Sequence, residues 1–372
     1  MKILIAGDFC PCDRVKSAFE LGEFDKVLGG VKPVVESADY SIVNFECPIV
    51  KGGETPISKV GPNLYCSERG LKAVKYAGFD CVTLANNHFY DYGDEGVKNT
   101  LAYCEKYAID YVGGGNDIDE ASKVLYKKTK GQTLAVVNCC ENEFSIATKT
   151  TAGSNPLNPI QQYYAIKEAR KFADRVLVIV HGGHEHFQLP SLRMVETYRF
   201  FIDAGADAVV NHHQHCYSGY ELYQGKPIFY GLGNFCFDSP RHHSGIWTEG
   251  YVVMVDFDND MPDFQLFPYK QCTDNPNIEL LSQDAFNDKL NELNSIITDS
   301  SALQMAIDRY YQTCVNQYAN LFEPIYNRYY FAAKLRGWLP SLISKNRKRF
   351  AENYIVCESH RDKMLFWLKN HQ

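Results

Sequence analysis

Polar side chains follow an apolar run in the stretch LANNHFYDYG, residues 84–93. Asn86, Asn87 and His88 come directly after residues 82–85, which are predicted to end a buried strand. Short polar side chains often bond their own backbone at such ends, so turn chemistry alone could account for them. Amide and imidazole groups are also metal ligands, and imidazole is a common proton donor. The residues at the ends of the other predicted strands therefore indicate whether these side chains only form a turn or belong to a functional site.

Four further apolar runs end in groups of the same kinds. These groups are Asp8, Glu46, the sequence HGGHEH at residues 181–186 and the sequence NHHQH at residues 211–215. In an open α/β sheet, ligands bind in the crevice beyond the carboxyl ends of the strands. The sequence therefore predicts that carboxylates, amides and imidazoles meet at one edge.

Histidines are concentrated at these strand ends. Seven of the eleven fall in three short clusters: His88; His181, His184 and His186; and His212, His213 and His215. Neutral imidazoles combined with carboxylate and amide oxygens suit Zn, Mn or Fe, whereas the six hard oxygen ligands that suit Mg or Ca are not offered. We therefore predict a transition-metal site.

The elements that must position these groups alternate along the first 270 residues. Short β-rich runs alternate with helical patterns, as in stacked βαβ units. Strands are predicted at residues 2–6, 40–45, 80–85, 134–138, 176–180, 208–210, 228–230 and 251–257. Helices are predicted at residues 68–76, 94–107, 163–173 and 191–204. We expect one domain over residues 1–270 and a helical extension over residues 271–372.

The composition is that of a globular protein. With 45% hydrophobic and 22% charged residues, the 372-residue chain can bury a sizeable core. The N-terminal MKILIAGDFC is too short for the core of a signal peptide, and no stretch reaches the roughly 18 apolar residues of a membrane helix. We therefore expect a cytoplasmic protein. Its thirteen cysteines lack a CxxC pair and are expected to be mostly reduced thiols.

Charge is unevenly distributed along the chain. Residues 1–325 hold 28 Lys and Arg against 42 Asp and Glu, whereas residues 326–372 hold 10 against 3. A basic end of this kind is typical of a solvated helical face or a contact with the acidic body, and alternatively of an interaction tail. We expect no nucleic-acid partner.

The last hundred or so residues show helical periodicity. Helical patterns occur at residues 283–297, 303–321 and 359–368. Breaks are expected near Pro324 and at residues 337–340. Tyrosines at spacings of three and four favour buried seams against the body or a partner subunit. Alternatively, KNRKRF at residues 345–350, with Trp338 and Leu339, could contact an anionic membrane or glycan.

In combination, the motifs resemble the CapA family of bacterial capsule and poly-γ-glutamate synthesis proteins, which is built on the metallophosphoesterase fold. The motifs are the early GD, NFECP, LANNHFYDYG, VIVHGGHEH, AGADAVVNHHQHCYSGYE and IFYGLGNFCFD, within residues 1–260. The resemblance implies a metallophosphoesterase-like four-layer α/β/β/α sandwich, followed here by the helical extension. It also implies a cofactor of two divalent transition metals, with Mn, Zn and Fe as candidates.

The same resemblance implies roles for individual residues. The metal ligands would be Asp8, Glu46, Asn87, His181, His213 and His215. His88, next to a ligand, would be the catalytic acid that donates a proton to the leaving oxygen. Two cations about 3.5 to 4 Å apart can activate a shared water and stabilise both the attacking and the leaving oxygens of a phosphoryl group.

Two residues depart from the pattern of the metallophosphoesterases. Cys10 stands where a histidine is usual, so the first metal gains a thiolate, takes a water or binds weakly; alternatively, Cys10 packs inward beside Phe9. A thiolate would favour Zn over Mn. Glu46 stands in place of a bridging aspartate and reaches further, which leaves the strict two-metal geometry open.

Other polar residues near the motifs have open roles. They are Asn86, His184, Glu185, His186, Asp91 and Glu221. Asn86, His184 and Glu185 either bind metal or support the ligands; alternatively, the group at residues 184–186 walls the substrate or belongs to a surface loop. Asp91 and Glu221 either orient other groups or cap turns. The triple glycine at residues 113–115 lacks the GxGxxG spacing, so we expect no nucleotide site there.

Two functions of different class are compatible with these residues. The first is a metal-dependent hydrolase, a phosphoesterase that acts on a phosphorylated glycan or polymer precursor, or a hydrolase of γ-glutamyl amides. The second is a non-catalytic component of capsule assembly that binds an anionic polymer. Capsule-assembly proteins are candidate partners in either case.

Overall fold

The computed structural model describes residues 1–322 and 344–370, together with residues 329, 332, 333, 336 and 338. Within these residues, two large β-sheets pack face to face and helices cover their outer faces. The four-layer α/β/β/α sandwich expected from the sequence is confirmed. The division of the chain at residue 270 stays a prediction.

Most residues of the strands are buried. They are β1 (Lys2–Phe9), β2 (Tyr40–Phe45), β3 (Cys81–Thr83), β4 (Asp110–Val112), β5 (Gly114–Gly115), β6 (Leu125–Thr129), β7 (Gln132–Cys140), β8 (Gly153–Ser154), β9 (Arg175–His181), β10 (Ala208–His212), β11 (Tyr220–Tyr223), β12 (Lys226–Phe229), β13 (Asn234–Cys236), β14 (Glu249–Asp256), β15 (Asp263–Gln271) and β16 (Ile278–Leu280).

In the part of the chain that the structure describes, most helices connect the strands, and four follow the last strand. They are α1 (Asp13–Glu20), α2 (Phe24–Leu28), α3 (Lys32–Glu36), α4 (Arg69–Ala77), α5 (Gly93–Lys106), α6 (Ile118–Ala121), α7 (Pro159–Ala169), α8 (Leu192–Ala204), α9 (Asp284–Thr298), α10 (Ser300–Phe322), α11 (Lys345–Val356) and α12 (Glu358–Asn370). A short 3₁₀ turn spans Gly245–Trp247.

The first sheet is parallel on one side and antiparallel on the other, whereas the second has a parallel centre and an antiparallel strand at each edge. The first sheet runs β16-β15-β14-β1-β2-β3-β4, with β13 paired beside the end of β1. The second runs β11-β12-β10-β9-β7-β6. Strands β1 to β4 are parallel to one another, as are β7, β9, β10 and β12. The strands that carry the polar motifs therefore present their carboxyl ends in register within each sheet.

Strand β1 shows why the sandwich forms. Its side chains alternate between two buried clusters, as a period of two requires. Ile3 and Ile5 pack with residues of the second sheet such as Val178. Leu4 and Ala6 pack with the helices on the outer face. An apolar strand buried on both sides is typical of a parallel sheet covered by helices.

Gly7 allows two strands to approach closely beside the site. A Cβ atom at Gly7 would lie 1.9 Å from the carbonyl oxygen of Gly233. The register between β1 and β2 also shifts between Ala6 and Asp8. Only glycine permits this approach, which lets β13 pair with the end of β1 and bring Asn234 opposite Asp8.

The C-terminal helices correspond in part to the sequence prediction. The patterns at residues 283–297, 303–321 and 359–368 are confirmed as α9, α10 and α12, whereas α11 was not predicted. The predicted breaks near Pro324 and at residues 337–340 lie outside the described residues, except for the exposed Trp338. In the described part of the chain, no helix has the length and apolarity needed to cross a membrane.

Candidate metal centre

Asp8 lies near the carboxyl end of β1 and is buried. Nδ2 of Asn44, its register partner on β2, donates a hydrogen bond of 2.8 Å to Oδ1 of Asp8. The backbone N–H of His213 donates to Oδ2 at 3.2 Å. Asn44 is itself fixed, because its amide oxygen accepts from the Thr83 hydroxyl at 3.2 Å. The Asp8 carboxylate is therefore held in one orientation between the two sheets.

Glu46 follows β2 and is fully buried. Its backbone N–H donates to the carbonyl oxygen of Phe9 at 2.9 Å. Among the described residues, neither of its carboxylate oxygens has a hydrogen-bond partner. Burial, and then the nearby Asp8 carboxylate, hold the pKa of Glu46 well above its ordinary value. Buried carboxylates of this kind are normally paired or bound to metal.

His181 ends β9 and lies at the centre of the site. Its Nε2 atom is 3.0 Å from Oδ1 of Asn87 and 3.0 Å from Nδ1 of His213. Bonds of about 2.1 Å from a metal to its ligands place neighbouring ligand atoms roughly 3 Å apart in a six-coordinate site. Burial, and then the neighbouring imidazoles, hold the pKa of His181 well below its ordinary value. The ring is therefore neutral at pH 7, the form that binds metals.

His215 is buried and also lies close to Glu46. Its Nδ1 atom is 2.9 Å from Oδ1 of Asn234, so the amide oxygen accepts a hydrogen bond from this ring nitrogen. The other nitrogen, Nε2, is 3.8 Å from Oε1 of Glu46. A partner of this kind fixes the tautomer and the orientation of a metal-binding imidazole. Asn234 therefore leaves Nε2 of His215 available to a metal.

The donors form two groups that share one residue. Glu46 converges with His181 and His213, and it also converges with Asp8 and His215; within each group the ligand atoms lie within 4.8 Å of one another. Asn87 adds its amide oxygen to the first group through its contact with His181. The mixture of imidazole, carboxylate and amide donors, together with the unpartnered oxygens of Glu46, fits the binding of divalent metal.

Two of the candidate ligand histidines have unusual backbone conformations. His213 has φ of 90° and His215 has φ of 55°. Residues other than glycine rarely adopt positive φ, and such conformations persist where the surrounding structure enforces them. The loop after β10 thus turns sharply twice, and both His213 and His215 come close to Glu46.

His88 lies beside these donors and is held by a buried ion pair. Its Nδ1 atom is 2.7 Å from Oδ2 of Asp91 and 3.1 Å from Nζ of Lys59. Lys59 and Asp91 form an ion pair whose side chains are almost completely buried. Burial, and then the Lys59 ammonium, lower the pKa of His88, although Asp91 opposes this shift. Because Nδ1 is engaged, Nε2 is the nitrogen left for a substrate.

A family comparison accounts for these residues as a set. The family described as "Bacterial capsule synthesis protein PGA_cap" matches residues 2–239. The chain belongs to this family. The match includes every residue of the two donor groups.

Individual relatives agree with this assignment. The PGA_cap chain is 34% identical over 246 residues to the capsule biosynthesis protein CapA of Bacillus anthracis, covering 64% of this chain and 60% of that protein. It is 34% identical over 235 residues to the PGA biosynthesis protein CapA of Bacillus subtilis (strain 168), covering 62% of each. The matches thus span less than two thirds of the length of these relatives.

Solved structures with low sequence identity are also similar. A hypothetical protein from Thermus thermophilus aligns with a TM-score of 0.45 and 17% identity, over 73% of this chain and 99% of that one. A 5′-nucleotidase precursor from the same organism aligns with a TM-score of 0.44 and 12% identity, over 83% of this chain and 59% of that one.

Two residues of the PGA_cap protein that were predicted as possible ligands, Cys10 and Asn86, make other contacts in the structure. Cys10 is completely buried beside Phe9, with its Sγ atom 3.4 Å from Sγ of Cys12, and it belongs to neither donor group. This arrangement favours the inward-packing alternative. Asn86 donates to the carbonyl oxygen of Phe45 at 3.0 Å and accepts from the backbone N–H of His88 at 3.1 Å. Its amide therefore shapes the turn that carries His88.

The residues of the loop at 184–186 lie in different environments. His184 is buried, and its Nε2 atom lies 2.8 Å from the hydroxyl of Tyr311 on α10. Glu185 and His186 are exposed. The ring of His186 lies 5.5 Å from that of Trp247. His184 therefore contacts the helical extension, whereas His186 faces the surface beside an aromatic ring.

Asp91 and Glu221 have different partners. Asp91 binds His88 and Lys59, as an orienting residue would. Glu221 on β11 instead pairs with Arg199 at 2.6 Å and accepts from the Tyr230 hydroxyl at 2.6 Å. Glu221 therefore fastens helix α8 to the second sheet.

Three residues that orient the site were not predicted from the sequence. Asn44 and Asn234 position Asp8 and His215, and Lys59 pairs with Asp91. Asn44 had a detectable signal, since it is an amide in the otherwise apolar end of β2. Lys59 lies in an irregular loop, and no periodicity distinguishes it from the other lysines.

Proposed function

We propose that this PGA_cap protein is a metal-dependent phosphoesterase that acts on a phosphorylated glycan or polymer precursor in capsule or poly-γ-glutamate synthesis. The biosynthetic setting is drawn from the family and from the CapA relatives, whose names refer to capsule and PGA biosynthesis. The reaction is drawn from the donor set and from the position of His88 beside it.

One observation carries the proposal: both oxygens of the buried Glu46 lack partners among the described residues, while two sets of donors converge on this residue. A carboxylate shared by two groups of ligands is suited to bridging two ions. His181 and His213, with Asn87, would hold one ion, and Asp8 with His215 would hold the other. When bound, two such ions activate a water and neutralise the charge on a phosphoryl group.

His88 supplies what metal ions cannot. In the proposed reaction, Nε2 donates a proton to the oxygen of the departing group while Asp91 holds Nδ1. Asp91 also stabilises the imidazolium form that exists before the proton is donated. Lys59 limits this stabilisation and keeps the carboxylate of Asp91 in place. The three residues together form a proton donor of fixed orientation.

The experiment that tests the proposal begins with purified protein reconstituted with Mn, Zn or Fe. Phosphomonoesters, phosphodiesters and poly-γ-glutamate are then offered, and product release is compared between the wild type and Glu46→Gln. Turnover of a phosphoester that is lost in Glu46→Gln is expected. Hydrolysis of poly-γ-glutamate alone would overturn the phosphoesterase assignment, and no turnover with any metal would overturn the enzyme assignment.

A second candidate function is non-catalytic binding of an anionic polymer during capsule assembly. The observation that favours it is Cys10, which is buried at the position where metallophosphoesterases usually carry a histidine ligand. Under this proposal, the metal-loaded protein would retain poly-γ-glutamate in a binding assay without cleaving any ester. Binding that is unchanged in Glu46→Gln would place the polymer away from the candidate centre.

A further inference from the structure

A third group of potential ligands lies outside the candidate centre. It consists of Glu143, Cys357 and His360, whose ligand atoms lie within 4.8 Å of one another. Glu143 is in the loop that follows β7, Cys357 lies between α11 and α12, and His360 is in the first turn of α12. Cys357 is buried, and the other two are partly buried. The group therefore joins the helical extension to the sandwich.

Neighbouring contacts fix the distance between the loop and the helix. The carboxylate of Glu358 accepts from the backbone N–H of Asn142 at 2.8 Å and from its side-chain amide at 2.6 Å. The hydroxyl of Ser359 donates to Glu141 at 2.6 Å. These bonds join the residues just before Glu143 to the residues just after Cys357. They therefore hold the loop and the start of α12 together, so that the three ligands are close to one another without a metal.

We propose that Glu143, Cys357 and His360 bind a single zinc ion. Zinc is commonly held by thiolate, imidazole and carboxylate ligands, and three protein ligands with one open position form a standard site. Tetrahedral zinc places its ligand atoms about 3.3 to 3.8 Å apart, so small side-chain rotations close the present separations. A thiolate among the ligands favours zinc over manganese.

The position of Cys357 suits a thiolate ligand. Cys357 immediately precedes α12, and the amino end of a helix favours negative charge. His360 follows three residues later, so both side chains lie at the same end of the helix. Without a metal, burial and the Glu143 carboxylate raise the pKa of the Cys357 thiol. Binding of a cation would displace that proton, so uptake of zinc should release one proton from this site.

Such a zinc would attach the helical extension to the body. Helix α12 also supplies Asp362 to an ion pair with Arg193 on α8, and α10 supplies the Tyr311 hydroxyl to His184. The zinc would tie the start of α12 to the loop after β7, whose residue Glu141 donates its backbone N–H to the carbonyl oxygen of His181. This role is independent of the proposed phosphoesterase function.

Cobalt substitution provides the test, because cobalt bound to a thiolate gives a charge-transfer band in the near ultraviolet. The wild type, Cys357→Ser, Cys314→Ser and Cys10→Ser are loaded with Co²⁺ and their spectra compared. Cys314 is a matched control because it is the other described cysteine of the C-terminal helices. The band is expected in the wild type and in both controls, and it should be absent in Cys357→Ser.

Zinc content gives a second measurement. His360→Gln keeps the thiol and should hold one equivalent of zinc fewer than the wild type, with an unchanged far-ultraviolet circular dichroism spectrum. Glu46→Gln, which alters the candidate centre, should keep the cobalt–thiolate band. Absence of the band in the wild type, or its loss in Cys10→Ser with retention in Cys357→Ser, would overturn the proposal. So would equal zinc content in the wild type and His360→Gln.

Discussion

Nδ1 of His88 lies 2.7 Å from Oδ2 of Asp91, and both atoms are buried beside the candidate metal centre. The same carboxylate accepts from the backbone N–H of Leu64 at 2.7 Å and pairs with Lys59. The orientation of the His88 imidazole is therefore fixed by Asp91 and its partners, none of which is a proposed metal ligand. Chemistry at His88 and metal binding at the centre should accordingly be separable.

Replacement of His88 by Asn should reduce turnover without removing metal. The expected loss in kcat is roughly 10²- to 10⁴-fold, the usual contribution of a general acid. The loss should be smaller for nitrophenyl esters, whose leaving groups depart without a proton. Steady-state rates and elemental analysis on the same preparation measure both quantities. Equal losses for good and poor leaving groups would reject His88 as the acid.

Replacement of His213 by Ala should remove metal and activity together, because the imidazole belongs to the first donor group. The wild type is expected to hold one or two equivalents of Zn, Mn or Fe after reconstitution. His186→Ala is the matched control, since His186 is an exposed histidine near the site and belongs to neither group. Elemental analysis below about a tenth of an equivalent in the wild type would contradict the assigned ligands.

The stability of the metal-free protein should depend on pH through Glu46. Its folded-state pKa is raised above the ordinary value of 4.5, so the unfolded chain ionises at lower pH than the folded one. Below the ordinary pKa, Glu46 is protonated in both the folded and the unfolded chain and does not lower the free energy of unfolding. As pH rises towards the folded-state pKa, the unfolded chain ionises first, so the folded state loses stability. Each unit of difference corresponds to about 1.4 kcal/mol.

Glu46→Gln cannot ionise at this position and should therefore unfold at higher denaturant concentration than the wild type at pH 7 to 8 when metal is absent. The difference between the two unfolding midpoints should narrow near pH 4. Added metal should reverse this difference, because it stabilises only the wild type. Urea unfolding at several pH values, with and without chelator, measures these differences. A constant difference between the variants at all pH values would show that Glu46 does not titrate abnormally.

The ion pair between Arg193 and Glu141 should contribute measurably to folding. Nη2 of Arg193 lies 2.8 Å from Oε1 of Glu141, with side-chain exposures of 26% and 4%. Arg193→Met removes the ion-pair partner of the buried Glu141 carboxylate and of Asp362, which should lower the free energy of unfolding by roughly 2 to 3 kcal/mol. Lys171→Met removes an exposed ion pair with Glu168 and should change the free energy of unfolding by less than about 1 kcal/mol. Similar losses in both variants would contradict a special role for the buried pair.

Local sequence patterns were sufficient for the central strands. The strand at residues 40–45 was predicted with the bounds that the structure shows for β2. The predicted helix at residues 163–173 was displaced from α7, which begins at Pro159 after Asn158. The Asn158 side chain accepts from the N–H groups of Ile160 and Gln161, so this cap, rather than the hydrophobic pattern, sets the start. Edge strands such as β6 and β16 were not predicted, because the sequence LYKKT of β6 has no alternation of apolar and polar residues and β16 is only three residues long.

The triple glycine at residues 113–115 illustrates the limit of a motif read alone. Its spacing excluded a nucleotide loop but gave no alternative role. In the structure, Gly113 has φ of 87°, and a Cβ atom there would lie 1.9 Å from Oδ1 of Asn138. A Cβ at Gly114 would meet the ring of Phe89. These glycines are required by packing beside the turn that carries His88.

The sequence by itself determined which strand ends carry metal-binding side chains, because alternation and strand-end chemistry depend on residues adjacent in the chain. Only the tertiary structure decided how those side chains are grouped and oriented. Glu46 is shared by two sets of donors because two separate sheets meet at it, and Asn234 reaches His215 because β13 pairs with β1 beside Gly7. The approach of Cys357 to Glu143 likewise depends on how the C-terminal helices pack. Such contacts join residues far apart in the chain, and long-range packing, which local periodicity does not encode, brings them together.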